Sequence, residues 1–360
     1  MNPIAPAQQE FGRLPAGDPV FAVLLTNRNG MAVRTISYGA AIQSVRVPGP
    51  NGTLTEVTYG HDCLQPYLDH PQYAGATVGR VANRIAGARF ALDGQVHHLA
   101  QNDGNNALHG GLRGFDKVNW RIEDLAGDSV TYDWTSPDGD QGFPGNLTVR
   151  AIYRLDDHNR LSVEYIAASD APTIVALSNH AYWNLAGAGS GRSAIEHLLT
   201  IHADCYLPVD SALIPTGELR PVEGTPFDFR VPTVIGARIR TAAEPQLHMG
   251  RGYDHNWVLG PDQPDPIREI ARLEDPWSGR TLRLDSNQPG VQFYSGNFFD
   301  GTVAGHGGWL ARAGDFIALE PQAFPDSANR PQFGSIRLIR GETYRNVIGW
   351  SFGTQGGELQ

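Results

Sequence analysis

The chain has 360 residues, 41% of them hydrophobic, which is enough to bury a large core. Its 28 basic residues against 38 acidic ones give a formal net charge of −10. This charge argues against nucleic acid and anionic membranes as partners, because both attract positive surfaces. We therefore expect a small or neutral partner molecule.

The N-terminus, "MNPIAPAQQEFGRLPAGDPV", has neither the charged nor the apolar region of a signal peptide, and no run of about 18 apolar residues occurs in the chain. The two cysteines, Cys63 and Cys205, form no CxxC pair, so neither a disulfide framework nor a structural zinc site is expected. We expect a cytoplasmic monomer or homodimer in which residues 1–20 form a less ordered or edge segment.

Short segments with alternating apolar residues follow one another along the chain, and this period of two is typical of strands that bury one face. They are "MAVRTIS", "AIQSVRV", "TEVTY", "NWRIED", "NLTVRAIYRL", "RLSVEYIA", "IREIARLED", "GVQFYSG" and "SIRLIR". In the fifth of these, the alternation places Leu147, Val149, Ala151, Tyr153 and Leu155 on one face. Helical spacing is rare, and "LQPYLDH" is predicted to form one short helical turn.

The 42 glycines and 25 prolines are spread evenly, so turns are frequent and no linker divides the chain. Many short strands with turn signals at close intervals predict an all-β fold, a large antiparallel β-sandwich in a single domain over residues 1–360.

Familiar motifs for cofactors and nucleophiles are missing. The segment "GRVANRIAG" matches neither GxGxxG nor GxxxxGK[ST], and no GxSxG motif supports a serine nucleophile. The spacings HxH, HExxH and HxxxH are also missing, so a metal site would need ligands from distant segments. We expect no cofactor. What remains is general acid–base catalysis by imidazole and carboxylate groups, which suits the opening of a hemiacetal.

Five polar segments combine such groups with tight turns. They are "GRVANRIAG" (79–87), "NNALHGG" (105–111), "LSNHAYWNL" (177–185), "GYDHNWVL" (252–259) and "FIALEPQAFPDSANRPQFG" (316–334). Taken singly, His109 and His180 fit a turn or a satisfied core position at least as well as a catalytic role. Trp183 fits either a sugar-binding cleft, where aromatic faces meet the apolar face of a pyranose ring, or ordinary core packing.

Glu320 follows the apolar run "FIAL", which is predicted to be the end of a buried strand, and precedes a loop that Pro321, Pro325 and Pro331 stiffen. A carboxylate at such a junction is usually a solvated rim residue or half of a salt bridge. A stiff loop, however, also holds a catalytic group at a fixed position. The stretch alone leaves both interpretations open.

In this order, the five segments resemble those of the aldose 1-epimerase (galactose mutarotase) family, from about Thr35 to Val347. The resemblance implies that Glu320 is the base at the anomeric hydroxyl, His180 the acid at the ring oxygen and His109 a donor near the anomeric centre. It further implies the substrate-binding residues Asn83, Arg84 and Asp254. A further segment, "PGVQFYSGNFFDG" (289–301), resembles the family's strand that contributes a glutamine, which is Gln292 here. Trp183 stands where phenylalanine is common in the family.

The resemblance also implies a fold and an activity. The expected fold is a galactose mutarotase-like supersandwich, a large β-sandwich with an open sugar-binding cleft. The expected activity is an isomerase that interconverts the α- and β-anomers of a free monosaccharide, an aldohexose such as galactose or glucose.

Three alternatives stay open at this point. A carbohydrate-binding or sensing protein needs aromatic and carboxylate groups but no turnover. An epimerase of a sugar phosphate needs further cationic donors, for which Arg80 and Arg84 are candidates. A carbohydrate lyase or hydrolase could use the carboxylate pair Asp254 and Glu320.

Overall fold

The computed structural model describes residues 7–49, 52–70, 72–260 and 266–355. Within these ranges the chain forms 30 strands and two α-helices. The elements of the first half are β1 (Ala7–Arg13), β2 (Pro19–Thr26), β3 (Ala32–Ile36), β4 (Ala41–Pro48), β5 (Leu54–Glu56), α1 (Gln65–Asp69), β6 (Thr77–Val78), β7 (Arg84–Ile85), β8 (Arg89–Leu92), β9 (Gln95–His98), β10 (Ala107–Leu108), β11 (Arg121–Ala126), β12 (Ser129–Ser136), β13 (Leu147–Leu155), β14 (Arg160–Ser169), β15 (Thr173–Ile174), β16 (Ser178–Asn179) and β17 (Tyr182–Trp183).

The elements of the second half are β18 (Leu198–Ile201), β19 (Cys205–Leu207), β20 (Arg220–Pro221), β21 (Thr233–Val234), α2 (Pro245–Gly250), β22 (Asp254–Val258), β23 (Arg268–Glu274), β24 (Arg280–Ser286), β25 (Gly290–Tyr294), β26 (Asp300–Ala304), β27 (Leu310–Arg312), β28 (Ile317–Gln322), β29 (Arg337–Leu338) and β30 (Tyr344–Thr354). Neither α1 nor α2 has the length and apolar character that crossing a membrane requires of a helix, within the part of the chain described.

Three antiparallel sheets make up most of the molecule. The first has the order β1-β2-β3-β4-β5, with β1 at its edge. The second has nine strands in the order β11-β12-β13-β14-β30-β24-β23-β18-β21, and the third has six in the order β17-β28-β25-β22-β19-β20. The prediction of an all-β antiparallel fold is thus confirmed.

The largest of three hydrophobic clusters among the described residues draws on all three sheets. It includes Val33 of the first sheet, Val149 of the second and Phe293 of the third, all of them fully buried. Across the core, the ring of Trp183 lies 5.7 Å from that of Trp350, which joins the third sheet to the second. Core packing is therefore the role of Trp183, and the interpretation of this residue as a cleft aromatic is wrong.

The strand predictions are confirmed where a full period-two pattern exists. In β13 buried residues alternate with more exposed ones as predicted, because the strand packs one face on the core and presents the other outward. The helical turn in "LQPYLDH" is α1. The segment "SIRLIR" forms only the two-residue strand β29, and α2 has no counterpart among the predicted elements.

Glu320 lies inside β28 and not directly before a loop, which corrects the sequence-based placement. The strand continues through Pro321 to Gln322, opposite Val291 and Gly290 of β25. The pairing of β28 with β17 ends at Ala318, so Pro321 lies past it, where a proline is tolerated in a sheet.

Candidate active site

A cleft of about 390 Å³ opens above the six-stranded sheet and gathers residues from distant parts of the chain. Its lining includes six of the residues singled out in the sequence, which are Asn83, Arg84, His109, His180, Asp254 and Glu320. The seventh, Gln292, donates a hydrogen bond from Nε2 to Oδ1 of Asp254 over 2.7 Å. The volume is in the range of small-molecule sites.

The sheet register places the cleft's carboxylates on one face. Gln292 of β25 lies directly opposite Glu320 of β28, and Tyr294 lies opposite Asp254 of β22. Residues opposite one another across antiparallel strands point to the same side, as do residues two apart on one strand. Glu320, Gln292, Tyr294 and Asp254 therefore share one face, and the short spacing of the strands keeps them close.

A second group comes from the pair β7 and β10. Leu108 pairs with Arg84 in this ladder, so Asn83 and His109 lie side by side just outside it. The His109 N–H donates to the Asn83 carbonyl over 2.9 Å. The glycine after His109 is required, because a Cβ at Gly110 would collide with the carbonyl oxygen of Gly79.

His109, His180 and Glu320 form the buried centre of the cleft. Their exposed fractions are 5%, 5% and 2%. The Nε2 of His180 lies 3.7 Å from Oε1 of Glu320, and the two imidazole rings are 5.4 Å apart between centroids. In the part of the chain described, Nδ1 of His180 and Oε2 of Glu320 are buried without a hydrogen-bond partner.

Burial moves the pKa of each of these groups toward its neutral form. It raises the pKa of Glu320 well above the usual value, and the negative charge of Asp254 raises it further, while Arg84 lowers it. Burial lowers the pKa of His180 to about 4. Burial, followed by the neighbouring His180 and Arg84, also holds the pKa of His109 well below its usual value. Strong shifts of this kind, in a cleft, are typical of acid–base sites.

Among the described residues that line the cleft, Arg84 is the cation. Its Nε donates to Oδ2 of Asp103 over 2.7 Å, a charge-assisted bond that fixes the direction of the guanidinium. Asp254 has its pKa raised by burial, with Arg84 and Gln292 acting in the opposite direction. Because Asp103 pairs with this arginine, the described lining offers no unpaired cation to an anion, and the cleft is better suited to neutral hydroxyl groups.

Most of the aromatic lining was not found from the sequence. It comes from residues in three segments, which are Tyr73, Tyr182, Tyr294, Phe298 and Phe299. Tyr73 stacks on His180 at 5.6 Å between ring centroids and lies 4.5 Å from the ring of His109. The segment "PGVQFYSGNFFDG" carried a usable signal, since Tyr294 ends the strand of Gln292 and Phe298 and Phe299 follow that strand.

Other polar and aromatic residues of the five segments lie in the core. Tyr253, His255 and Trp257 are fully buried beneath the sheet. Asp254 is therefore the residue of "GYDHNWVL" that lines the cleft. The sequence alternation explains this division, because successive strand residues face opposite sides of the sheet.

Arg80 is excluded as a phosphate-binding residue. Its guanidinium is 2% exposed and donates five hydrogen bonds inside the protein, to Ser136, Pro137, Pro144 and Thr173. A guanidinium has five N–H groups, so none is left for a ligand. The candidate cation for a sugar phosphate is thus reduced to Arg84.

Metal ligands of the right type do converge in the cleft. Donor atoms of His109, His180 and Glu320 all lie within 4.8 Å of one another. Two imidazoles and a carboxylate are a ligand set that divalent transition metals accept. The sequence placed these ligands on distant segments, and the fold brings them together.

Comparisons with known proteins agree on one family. The aldose 1-epimerase family profile matches residues 22–351. The galactose mutarotase of Rattus norvegicus is 42% identical over 342 residues, which cover 95% of this chain and 97% of the rat protein. The aldose 1-epimerase of Haemophilus influenzae is 38% identical, with 94% of this chain and 97% of that protein covered. The crystal structure of galactose 1-epimerase from Lactobacillus acidophilus is similar with a TM-score of 0.84 at 30% identity, covering 97% of this chain and 98% of that one.

Proposed function

The chain belongs to the aldose 1-epimerase family, and we propose that it is a mutarotase, an isomerase that interconverts the α- and β-anomers of free aldohexoses such as galactose or glucose. The observation that carries the proposal is the buried pair of His180 and Glu320, 3.7 Å apart, with His109 beside it in one cleft. Mutarotation needs one acid and one base at a single carbon, and this pair can supply both.

Ring opening uses the pair in opposite directions. Glu320 takes the proton of the anomeric hydroxyl while His180 gives a proton to the ring oxygen, and the C1–O5 bond breaks to leave an open-chain aldehyde. Rotation about the C1–C2 bond then presents the other face of the aldehyde. Both proton transfers run backwards as the ring closes, so the protein returns to its starting state without a cofactor.

In the active state, His180 and Glu320 hold one proton between them. Their pKa shifts determine which of the two groups carries it before the substrate reacts. The pKa of Glu320 is raised well above its usual value and that of His180 is lowered to about 4, so the resting site holds the proton on Glu320. The reactive form, with the carboxylate ionised and the imidazole protonated, is the minor of the two. Its ion pair is stabilised by the short Glu320–His180 separation and by the positive charge of Arg84.

Substrate binding falls to the polar residues around the pair. Arg84 and Asp254 present a donor and an acceptor to sugar hydroxyls, with Gln292 holding Asp254 in place. Asn83 adds an amide beside Arg84. The rings of Tyr73 and Tyr294 supply the apolar surface that the C–H face of a pyranose covers.

Two alternatives are less well supported. A sugar phosphate would bring an anion to a cleft whose arginine, Arg84, already pairs with Asp103, and Arg80 does not reach it. A protein that only binds sugar has no need to bury two imidazoles and a carboxylate with their pKa values shifted, because unpaired buried polar groups cost stability.

Polarimetry tests the function directly. We expect catalytic amounts of the protein to accelerate the mutarotation of fresh α-glucose and α-galactose, to accelerate that of a hexose 6-phosphate less, and to keep the same rate in the presence of a chelator. Sugar binding by titration without any acceleration would favour a binding protein. Activity that a chelator removes and a divalent ion restores would contradict cofactor-free catalysis.

The pH dependence of kcat/KM should be a bell whose alkaline limb belongs to Glu320. Below the pKa of His180, about 4, both groups are protonated and the base is lost; above the raised pKa of Glu320, both are deprotonated and the acid is lost. Asp254→Asn removes a negative charge that raises the pKa of Glu320, so the alkaline limb should move to lower pH. An unmoved alkaline limb, measured by polarimetry, would mean that Glu320 does not set it.

A further inference from the structure

One hydrogen bond fixes the chemical state of His109. The backbone N–H of Asn83 donates to Nδ1 of His109 over 3.1 Å. A backbone N–H can only donate, so Nδ1 must be the acceptor and carries no proton. The neutral ring therefore holds its proton on Nε2. Most histidine tautomers in proteins have to be inferred from ambiguous partners, and this one has an unambiguous partner.

We propose that Asn83 is a positioning residue whose backbone N–H holds His109 as the neutral Nε2–H tautomer, so that His109 is a permanent hydrogen-bond donor to an oxygen of the sugar. The proposal rests on the proposed mutarotase function for the identity of that oxygen. In this state His109 is not a general base through Nε2, because that nitrogen already has its proton. The acid and base are then left to His180 and Glu320.

The surroundings of His109 oppose a second proton. Protonation of Nδ1 would set two donors, the imidazolium and the Asn83 N–H, against each other. Burial and the neighbouring His180, Arg84 and Lys117 also disfavour a positive ring, in that order. The hydrogen bond and these surroundings both favour the neutral form of His109.

The same bond works against metal capture. A histidine that binds a metal through Nε2 has its proton on Nδ1 and usually donates that proton to a carbonyl or carboxylate. Here Nδ1 faces a donor, so ligation through Nε2 would break the Asn83 bond and leave a buried N–H without a partner. His109, His180 and Glu320 lie within 4.8 Å of one another, yet His109 is held in the wrong tautomer for a ligand.

The local backbone shows why an asparagine stands at this position. Asn83 has φ +61°, in the left-handed region, and so does His109 with φ +49°. Asparagine adopts this conformation more readily than most residues, and Oδ1 of Asn83 accepts a hydrogen bond from the Arg84 N–H over 2.8 Å. The left-handed conformation sets the angle between the Asn83 N–H, which donates to the imidazole ring, and the Asn83 carbonyl, which accepts from the His109 N–H.

Two substitutions distinguish the role of the Asn83 backbone from that of the Asn83 side chain. Asn83→Gly and Asn83→Val both remove the amide that we place near the sugar, but glycine tolerates a positive φ and a β-branched residue does not. In nitrogen NMR of the full chain with labelled histidine, His109 should show the Nε2–H tautomer in the parent and in Asn83→Gly, and should lose that single signature in Asn83→Val. Asn83→Ala replaces the valine variant if the latter does not fold.

The kcat/KM values of the same variants test the functional effect of the Asn83 backbone. Both variants lack the amide and differ in the backbone conformation that they tolerate, so we expect Asn83→Gly to keep at least about tenfold more kcat/KM than Asn83→Val. Asn83→Ala, which adds only a methyl group, repeats the comparison without the bulk of valine in the cleft. A parent His109 with its proton on Nδ1, or two variants with identical tautomers and rates, would overturn the proposal. The NMR signature does not depend on turnover, so a protein with the Nε2–H tautomer and no mutarotation would contradict the proposed function and leave the tautomer assignment standing.

Cobalt gives an independent check on the metal argument. Titration of the full chain with Co²⁺ alone, followed by its visible absorption, should give the same binding curve for the parent and for His109→Gln. His202→Gln is the matched control, because His202 and Glu269 form an exposed His–carboxylate pair with atoms 3.4 Å apart. Tight Co²⁺ binding that disappears specifically in His109→Gln would overturn the proposal.

Discussion

Glu320→Gln should lower turnover by about 10² to 10⁴, which corresponds to roughly 3 to 5 kcal/mol of barrier, while the fold and the sugar affinity are kept. The amide has the shape of the carboxylate but cannot take the proton of the anomeric hydroxyl. Glu320 is 2% exposed, and burial raises its pKa, so the protein already favours a neutral group at this place. Replacing this neutral carboxyl group by an amide should therefore leave the melting temperature close to that of the parent.

Glu56 provides a matched control for this variant. It is also a carboxylate whose pKa burial raises, but it lies outside the cleft lining and accepts hydrogen bonds from Ser44 and from the backbone N–H groups of Val45 and Thr58. Glu56→Gln should lower the melting temperature and leave kcat near that of the parent. If Glu320→Gln folds, binds sugar by titration and keeps more than about a tenth of the parent rate, Glu320 is not the base.

The fold class could be predicted from the sequence because strand periodicity is a local property. The alternation in β13 and β14 follows from one face of each strand packing on the core, and neither the long-range order of the strands nor their lengths are needed to see it. The order of the nine-stranded sheet, in which β30 lies between β14 and β24, depends on contacts between distant segments and has no local signal. The extension of β28 through Pro321 was missed for the same reason.

The polar residues of the cleft could be singled out because five motifs occur in a family-like order, and the structure places all of them at one cleft or in contact with it. The motifs do not show which way each side chain points. Trp183 and His180 are three residues apart, yet one faces the core and the other the cleft. The tautomer of His109 likewise depends on a bond from Asn83, a residue 26 positions away.

Burial is the property that joins the fold to the chemistry. His180 and Glu320 are buried by the faces of the sheets, by the strand pair β7–β10 and by the aromatic rings of Tyr73 and Tyr182. This burial is the main cause of the pKa shifts of both groups. It makes each group neutral at rest and strengthens their attraction once a proton moves from one to the other. A more open site would hold the same residues with ordinary pKa values and a weaker interaction between them.

His180→Gln should remove the ring-oxygen acid and lower turnover by about 10² to 10⁴. It should also change the dependence of stability on pH. The folded pKa of His180, about 4, lies below the unfolded value of 6.5, so the unfolded chain binds more protons and wild-type stability falls as the pH drops from 6.5 toward 4. This pH-dependent loss of folding stability is of order 3 kcal/mol in full, and it is absent from the variant because the variant has no imidazole at this position. The melting temperature of His180→Gln should therefore fall less than that of the parent between pH 7 and pH 4.5.

His197 separates the catalytic effect from the effect of burial. Its pKa is also lowered to about 4 by burial, and its Nε2 accepts a hydrogen bond from the Leu185 N–H, away from the cleft. His197→Gln should show the same reduced pH dependence of melting as His180→Gln but should keep the parent turnover. Polarimetry and thermal unfolding of the two variants at both pH values decide the matter. Equal losses of turnover in both variants, or a His180→Gln protein with more than about a tenth of the parent rate, would mean that His180 is a satisfied core histidine and that the proton for the ring oxygen comes from another group.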